Sequence, residues 1–288
     1  MELFSPAKIN LFLEVTGKRA DGYHELNTMM CGISLFDRIS LEPSSSSHIK
    51  IECDVPGIPE DETNLAAIAA KLFFERVGRP DTGLNIKIEK KIPVGAGLGG
   101  GSSNAASILT GLNQYYDTPF SGDELVEMGV SIGADVPFFI FSKAAIAKGI
   151  GEKLEFCENV LHYYVILIYP GVAVSTAEVY KKLNFGLTKS KKETKSRLLN
   201  KRLIDPVNLL FNDLEKPAFL MCSEISELQY LLHSFGADGA LMSGSGSAVF
   251  GLFRELEKAE TVFSDLKKYS EKRAACQNWQ YFLVDMIV

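Results

Sequence analysis

The sequence predicts an α+β chain in two lobes, and three observations predict it. Residues 84–89 alternate apolar and polar, then run through five glycines within twelve residues into a helical repeat. A strongly apolar strand begins afresh at Tyr163, which puts a boundary near residues 157–161 and divides the chain into 1–158 and 159–288. Beyond it the order β, helices, β, β, α, β suits a split βαβ plait. With 288 residues, 46% hydrophobic and 23% charged, the chain is long enough for two cores.

Residues 5–15 read as the first strand. Ile9, Leu11, Leu13 and Val15 share one face; Lys8, Asn10, Phe12 and Glu14 share the other. Lys8 and Asn10 therefore point the same way, although a lysine on a strand face is usually only solvated. Asp21-Gly22 marks a turn. Tyr23 and His24 follow it, either as turn-flanking residues or as a platform for a flat ligand ring. Residues 31–41 form a second strand and residues 48–53 a third, joined by a polar loop as an expected hairpin. Asp61-Glu62-Thr63-Asn64 supplies caps for a helix carrying Leu65, Ile68, Leu72 and Phe73. Asn64 is in the first place a cap; a ligand role needs further evidence.

The next stretch is Pro93-Val94-Gly95-Ala96-Gly97-Leu98-Gly99-Gly100-Gly101-Ser102-Ser103-Asn104. A glycine loop between a strand and a helix start aims backbone N–H groups and the positive end of the helix dipole at one spot. Glycine leaves room for a bulky anion and permits φ > 0. Ser102 and Ser103 can cap the helix or offer hydroxyls to a phosphate or its metal. The ligand that suits such a loop is a nucleotide polyphosphate. Gly95-x-Gly97-x-x-Gly100 also fits the dinucleotide fingerprint, but that needs a second strand with an acid about 20 residues on. Asp117 has the distance and no strand. The Walker pattern fails as well, because no Lys-Ser/Thr pair follows the glycines. A turn without a ligand would not need so many glycines, each of which costs backbone entropy.

Ser121-Gly122-Asp123-Glu124 is a capping box for a helix that Gly133 stops. Asp135 then stands alone among small and large apolar residues. It is either an N-cap or a partly buried carboxylate held at a site wall, and the apolar flanks favour the second. Residues 144–148 and 152–156 read as a strand pair with Gly149 and Gly151 at the turn. Residues 181–202 hold nine Lys/Arg against the single Glu193, a solvated connector with weak attraction for anions. Residues 205–220 read as helical, 223–235 as an amphipathic helix with Ile225, Leu228, Leu231 and Leu232 inward. Strands at 240–242 and 248–253 flank Ser243-Gly244-Ser245-Gly246-Ser247. A hairpin needs only one or two glycines, so this second loop could also wall a phosphate site against the first.

Composition excludes several classes. A net charge of −6 argues against a nucleic-acid protein. Five scattered cysteines without Cys-x-x-Cys read as reduced thiols rather than a disulfide frame or zinc site, and four separated histidines add no metal site. No signal peptide is expected at the start, and the apolar run at 163–174 is too short to span a bilayer. A cytoplasmic protein, monomer or weak homodimer, is expected.

Three stretches coincide: Pro6-Ala7-Lys8-Ile9-Asn10, the loop from Pro93 to Ser103, and Ser243-Gly244-Ser245-Gly246. Together they resemble the signature motifs of the GHMP kinases, small-molecule kinases named for galactose, homoserine, mevalonate and phosphomevalonate. Ser5 to Leu13, Arg19 to His24, Gly133 to Pro137 and Asn212-Asp213-Leu214-Glu215 resemble, within that family, a branch acting on a cytidine-diphosphate alcohol. The resemblance spans nearly the whole chain and is weakest over the basic tract. It implies an N-terminal lobe like the second domain of ribosomal protein S5, a ferredoxin-like C-terminal lobe, and a site between them. It implies ATP, with Mg²⁺, as phosphoryl donor. By matching position, Lys8 and Asp135 are the catalytic pair. Asn10, Tyr23, His24, Thr176, Tyr180, Gly244 and Ser245 belong to the substrate side, with His24 stacking on cytosine. Asn64, Lys90 and Lys91 border the adenine pocket, the loop from Pro93 to Ser103 holds the phosphates, and no residue is assigned to the metal.

The chemistry agrees. Phosphoryl transfer needs charge neutralisation and an aligned hydroxyl more than covalent help. With no Walker lysine, Lys8 is the fixed cation near the reacting oxygen, and Asp135 takes the proton or orients the hydroxyl. Other readings are a family kinase for homoserine or mevalonate, a silent nucleotide-binding module and, last, a dinucleotide oxidoreductase.

Overall fold

Two long strands open the chain: β1, Glu2–Lys18, and β2, His24–Ser44, which pair with each other. Both extend beyond the lengths that alternation alone marks, because both faces of β1 are buried from Ala7 to Leu13. The computed structural model describes residues 1–20, 22–183 and 203–288. Asp21 and most of the basic tract at 181–202 lie outside the described residues. The chain divides into two compact units. The first comprises Met1–Ala7, Leu35–Ile92 and Gly99–Ser142; the second comprises Lys8–Ser34, Pro93–Leu98 and Lys143–Val288. The long strands contribute to both.

In the first unit, β3 (Ile49–Cys53) leads through α1 (Leu65–Arg76) to β4 (Gly83–Glu89). The expected hairpin of β2 and β3 does not form. β3 pairs in parallel with β4, from Ile49↔Leu84 to Cys53↔Ile88, and β4 pairs antiparallel with β2. A parallel pair needs a crossover of a dozen residues or more, and α1 supplies it. Asn64 caps α1 as its sequence suggests, its side chain accepting from the Ala66 N–H. α1 packs its Ala66, Ala69, Ala70 and Phe73 face against α2 (Gly100–Tyr115). The Ser121 capping box starts α3 (Gly122–Ile132), with both reciprocal hydrogen bonds present. α4 (Val136–Phe141) follows the Gly133-Ala134-Asp135 turn.

The second unit adds the antiparallel hairpin β5 (Ala145–Gly149) and β6 (Lys153–Phe156), then β7 (Tyr164–Tyr169). Val165, Ile166, Leu167 and Ile168 of β7 are fully buried, the mark of a central strand. After α5 (Thr176–Lys181), residues 205–220 are not continuously helical. A 3₁₀ turn at Pro206–Leu209 gives way to a two-residue strand, β8 (Phe211–Asn212), which pairs in parallel with β1; α6 (Glu215–Phe219) follows. The strand is too short to carry a periodic signal. Then come α7 (Glu224–Ser234), β9 (Gly239–Met242), β10 (Val249–Phe253), α8 (Leu256–Glu271) and β11 (Gln280–Ile287). The antiparallel order β11-β7-β10-β9 is the ferredoxin-like plait expected of this half. α7 and α8 bury Ile225, Leu228, Leu232, Val262 and Leu266 in a core with Ile166, Ile168 and Phe253. Among the described residues no helix is long and apolar enough to cross a membrane.

Candidate active site

In the second unit the site is built around Lys8, which is 3% exposed. Its ammonium donates to Asn10 Oδ1 at 2.6 Å and to the Gly97 carbonyl at 3.0 Å. Asn10 lies two residues along the same strand face, as alternation requires. Its Nδ2 donates to Thr28 Oγ1 at 2.8 Å, and Thr28 donates to the Phe12 carbonyl at 2.6 Å. A buried ammonium is tolerated only when its protons are met by oxygens, and the Asn10 and Gly97 oxygens aim it here. Thr28 is absent from the sequence-derived set, because nothing in Leu26-Asn27-Thr28 distinguishes it from any strand threonine.

The first half of the glycine loop, Pro93–Leu98, lies with Lys8 in this unit, and the Lys8 N–H donates to the Leu98 carbonyl at 3.0 Å. Gly97 has φ +77°, and a Cβ on it would lie 2.2 Å from the Ser243 carbonyl oxygen. No other residue fits there. The second glycine loop therefore does wall the first: Ser243 Oγ donates to the Gly97 carbonyl at 3.0 Å, and the Ala248 N–H to the Ala96 carbonyl. Asn212 pins the second loop from behind. Its Nδ2 donates to the carbonyls of Met242 at 2.9 Å and Gly244 at 2.8 Å. Glu215 accepts from the Met242 N–H and from Gln229; burial pushes its carboxyl above the usual carboxylate value, and these two hydrogen bonds oppose the shift. The Asn212-Asp213-Leu214-Glu215 motif thus has a structural task. Gly244 and Ser245 are buried, and Ser245 Oγ meets exposed Thr176 Oγ1 at 2.7 Å. His24 stacks on Tyr180, while Tyr23 is 60% exposed. Desolvation, with Lys18 nearby, lowers the His24 imidazole below its usual value.

In the first unit, α2 begins at Gly100 with Gly99 as its left-handed N-cap, φ +72°, and no side chain caps it. Ser102 and Ser103 do not cap the helix; they stand inside its first turn, because the glycine run ends one turn later than a Ser cap would need. Among the described residues the buried Ser103 Oγ has no hydrogen-bond partner. Leu65 borders this turn: a Cβ on Gly101 would lie 3.5 Å from Leu65 Cδ1, which puts Asn64 in the neighbourhood. The Asn64 amide is engaged with Ala66 N–H and the Pro59 carbonyl. A Cβ on Gly133 would lie 3.7 Å from Ser102 Oγ, so the turn carrying Asp135 also borders α2. Asp135 occupies the N-cap position of α4, makes no capping bond, and is half-buried.

Lys90 and Lys91 part company. The Lys90 side chain is 6% exposed and its ammonium is ion-paired with Asp37, which is wholly buried, and donates to Asn104 Oδ1 at 3.2 Å. Asp37 also accepts the N–H groups of Lys91 at 2.8 Å and Ile92 at 2.9 Å, and the Asn104 amide at 3.0 Å. Lys91 turns its side chain outward. Asp37 ties the strand end before the glycine loop to the helix after it. It too is absent from the sequence-derived set, although a lone aspartate in the apolar run 31–41 is a legible signal.

In one unit a helix start without a side-chain cap stands behind left-handed Gly99; in the other, buried Lys8 is held by the Gly97 carbonyl. Models of the GHMP kinases N terminal domain and of the GHMP kinases C terminal segment match residues 64–143 and 196–272. The 4-diphosphocytidyl-2-C-methyl-D-erythritol kinase of Syntrophotalea carbinolica is 45% identical, over 95% of this chain and 97% of its own. A crystal structure of 4-(cytidine 5'-diphospho)-2C-methyl-D-erythritol kinase is 35% identical, with a TM-score of 0.80 and 99% of each chain covered. A homoserine kinase from Cytophaga hutchinsonii, 18% identical over 100% of this chain and 94% of its own, with a TM-score of 0.73, shares the fold. The chain belongs to the GHMP kinases, and within them to the 4-diphosphocytidyl-2-C-methyl-D-erythritol kinase family.

Proposed function

We propose that the chain uses ATP to phosphorylate the 2-hydroxyl of 4-diphosphocytidyl-2-C-methyl-D-erythritol, giving the 2-phosphate and ADP, a step of the methylerythritol phosphate route to isoprenoids. The observation that carries this reading is the Lys8 ammonium, buried and aimed by Asn10 and the Gly97 carbonyl. Lys8 holds positive charge beside the accepting oxygen, which a tertiary alcohol, a poor acid, needs in order to ionise. Asp135 accepts the proton or orients the hydroxyl, an effect typically worth ~10²–10⁴-fold. The amides of the loop from Pro93 to Ser103 hold the phosphates. Asn64 and Lys91 border the adenine; Lys90, paired with Asp37, contributes through the backbone it fixes. Asn10, Tyr23, His24, Thr176, Tyr180, Gly244 and Ser245 form the alcohol side, with the cytosine on His24 and Tyr180. We place the family's two segments at 1–158 and 159–288; the two matched stretches fall on either side of that boundary.

Mg²⁺ accompanies the ATP in this reading. The orphaned Ser103 hydroxyl, a hard oxygen, suits such an ion or a phosphate oxygen, and Ser102 is its neighbour. When bound, the ion neutralises phosphate charge. Steady-state assays of ADP release with the cytidine alcohol, homoserine and mevalonate test the substrate. Turnover of the cytidine alcohol alone is expected; equal turnover of the others, or none at all, overturns the reading. Asp135→Ala is expected to abolish turnover while ATP still binds, and full activity in that variant would remove Asp135 from the chemistry.

A further inference from the structure

We infer that Thr28 is a positioning residue for Lys8: it sets the polarity of a buried hydrogen-bond chain that ends on the ammonium. This rests on the proposed role of Lys8 and goes beyond it. Thr28 is 2% exposed, Asn10 2% and Lys8 3%, so bulk water does not compete for these groups.

A threonine hydroxyl has one hydrogen. Thr28 gives that hydrogen to the Phe12 carbonyl at 2.6 Å. Toward Asn10, 2.8 Å away, the hydroxyl is then an acceptor only. That forces the NH₂ end of the Asn10 amide toward Thr28 and its carbonyl end toward Lys8, 2.6 Å away. An ammonium is donor-only, so this is the one amide orientation that welcomes it. The reverse orientation would set an NH₂ against an NH₃⁺ and an amide oxygen against the Thr28 oxygen. The Phe12 carbonyl, fixed in β1, is thus the origin of a directional relay: Lys8 to Asn10, Asn10 to Thr28, Thr28 to backbone.

Removing the hydroxyl while keeping the shape breaks the relay at its root. In Thr28→Val the Asn10 NH₂ loses its acceptor, the amide is free to turn over, and Lys8 loses the Asn10 carbonyl oxygen while the Gly97 carbonyl remains. The ammonium then shifts toward Gly97, and a misplacement of about 1 Å at a reacting centre costs up to about 10²-fold in rate. Ser at this position retains the donor and the acceptor.

The test compares wild type, Thr28→Val and Thr28→Ser in two measurements. Steady-state kinetics of the cytidine alcohol are expected to show kcat down about 10- to 100-fold in Thr28→Val with KM changed less than about threefold, and near-wild-type kcat in Thr28→Ser. Independently of activity, the side-chain amide ¹H–¹⁵N resonances of Asn10 are expected to move and exchange faster in Thr28→Val and to stay in place in Thr28→Ser. Thr28→Ala replaces the valine variant should that fail to fold, with the same expectations. An unchanged kcat and unmoved Asn10 resonances in the hydroxyl-free variant overturn the inference, as does a Thr28→Ser protein no better than Thr28→Val. A wild type that phosphorylates nothing overturns the proposed function instead, and the Asn10 resonances still decide the relay.

Discussion

The imidazole of His24 lies over the phenol ring of Tyr180, with centroids 4.7 Å apart and planes 23° from parallel. Base–aromatic stacking is worth ~1–3 kcal/mol per base. His24→Ala is therefore expected to raise KM for the cytidine alcohol by about 5- to 100-fold while kcat falls less, and Tyr180→Leu to act in the same direction. Desolvation already lowers the imidazole below its usual value, and a base stacked on the ring desolvates it further, so the neutral form is the one that binds. KM for the alcohol is expected to be flat above pH 7 and to rise in acid, a trend that His24→Ala abolishes. Initial-rate measurements across pH 5 to 8 check both.

Asp37 and Lys90 form a buried ion pair that also receives two backbone N–H groups and the Asn104 amide. Removing one member of such a pair leaves an uncompensated charge and costs about 3–5 kcal/mol. Asp37→Ala is expected to lose that much stability in urea unfolding. Asp37→Leu combined with Lys90→Met, which removes both charges, is expected to recover part of it. If Lys90→Met alone raised KM for ATP without destabilising the fold, the ammonium would belong to the nucleotide rather than to Asp37.

Much of this was legible in the residues, and the exceptions share a cause. The glycine loop, the Ser121 capping box and the inward face of α7 depend on neighbours within a few positions, and local pattern reports them. The expected β2–β3 hairpin does not form because partner choice is non-local: an α-helix follows β3, and that helix returns the chain to lay β4 between them. Lys8 and Asn10 were legible as one strand face. Thr28 is not, because its importance lies in Phe12 and Asn10, 16 and 18 residues away; at Asp37 the lone acid in an apolar run is legible, but its partners, 53 to 67 residues away, are not. Lys90 matches the family's adenine border by position, and its partner Asp37, 53 residues distant, lies beyond the reach of local pattern.

Gly97 accepts Lys8 and Ser243 on one carbonyl while its Cα faces the Ser243 carbonyl. Gly97→Ala adds a methyl at 2.2 Å from that oxygen and strains a left-handed backbone. Both loops must then move apart. kcat/KM for ATP is expected to fall at least about tenfold while the circular-dichroism spectrum is unchanged. Asn212→Ala loosens the same contact from behind by freeing the Met242 and Gly244 carbonyls, and is expected to cost about 1–3 kcal/mol in stability.

Glu215 links the second glycine loop to solution pH. Burial raises its carboxyl above the ordinary value, so between that value and the raised one the folded chain binds more protons than the unfolded chain. Stability then falls as pH rises through this window, since its slope follows protons bound unfolded minus folded. Asp213, raised by burial too, adds to the same slope. Glu215→Gln carries no ionisable proton and retains a carbonyl oxygen for the Met242 N–H. Its unfolding free energy is expected to decline less than that of wild type between pH 4.5 and 7, measured by urea titration at each pH. A variant whose pH dependence parallels wild type would mean that Glu215 ionises in the folded chain as readily as in the unfolded one.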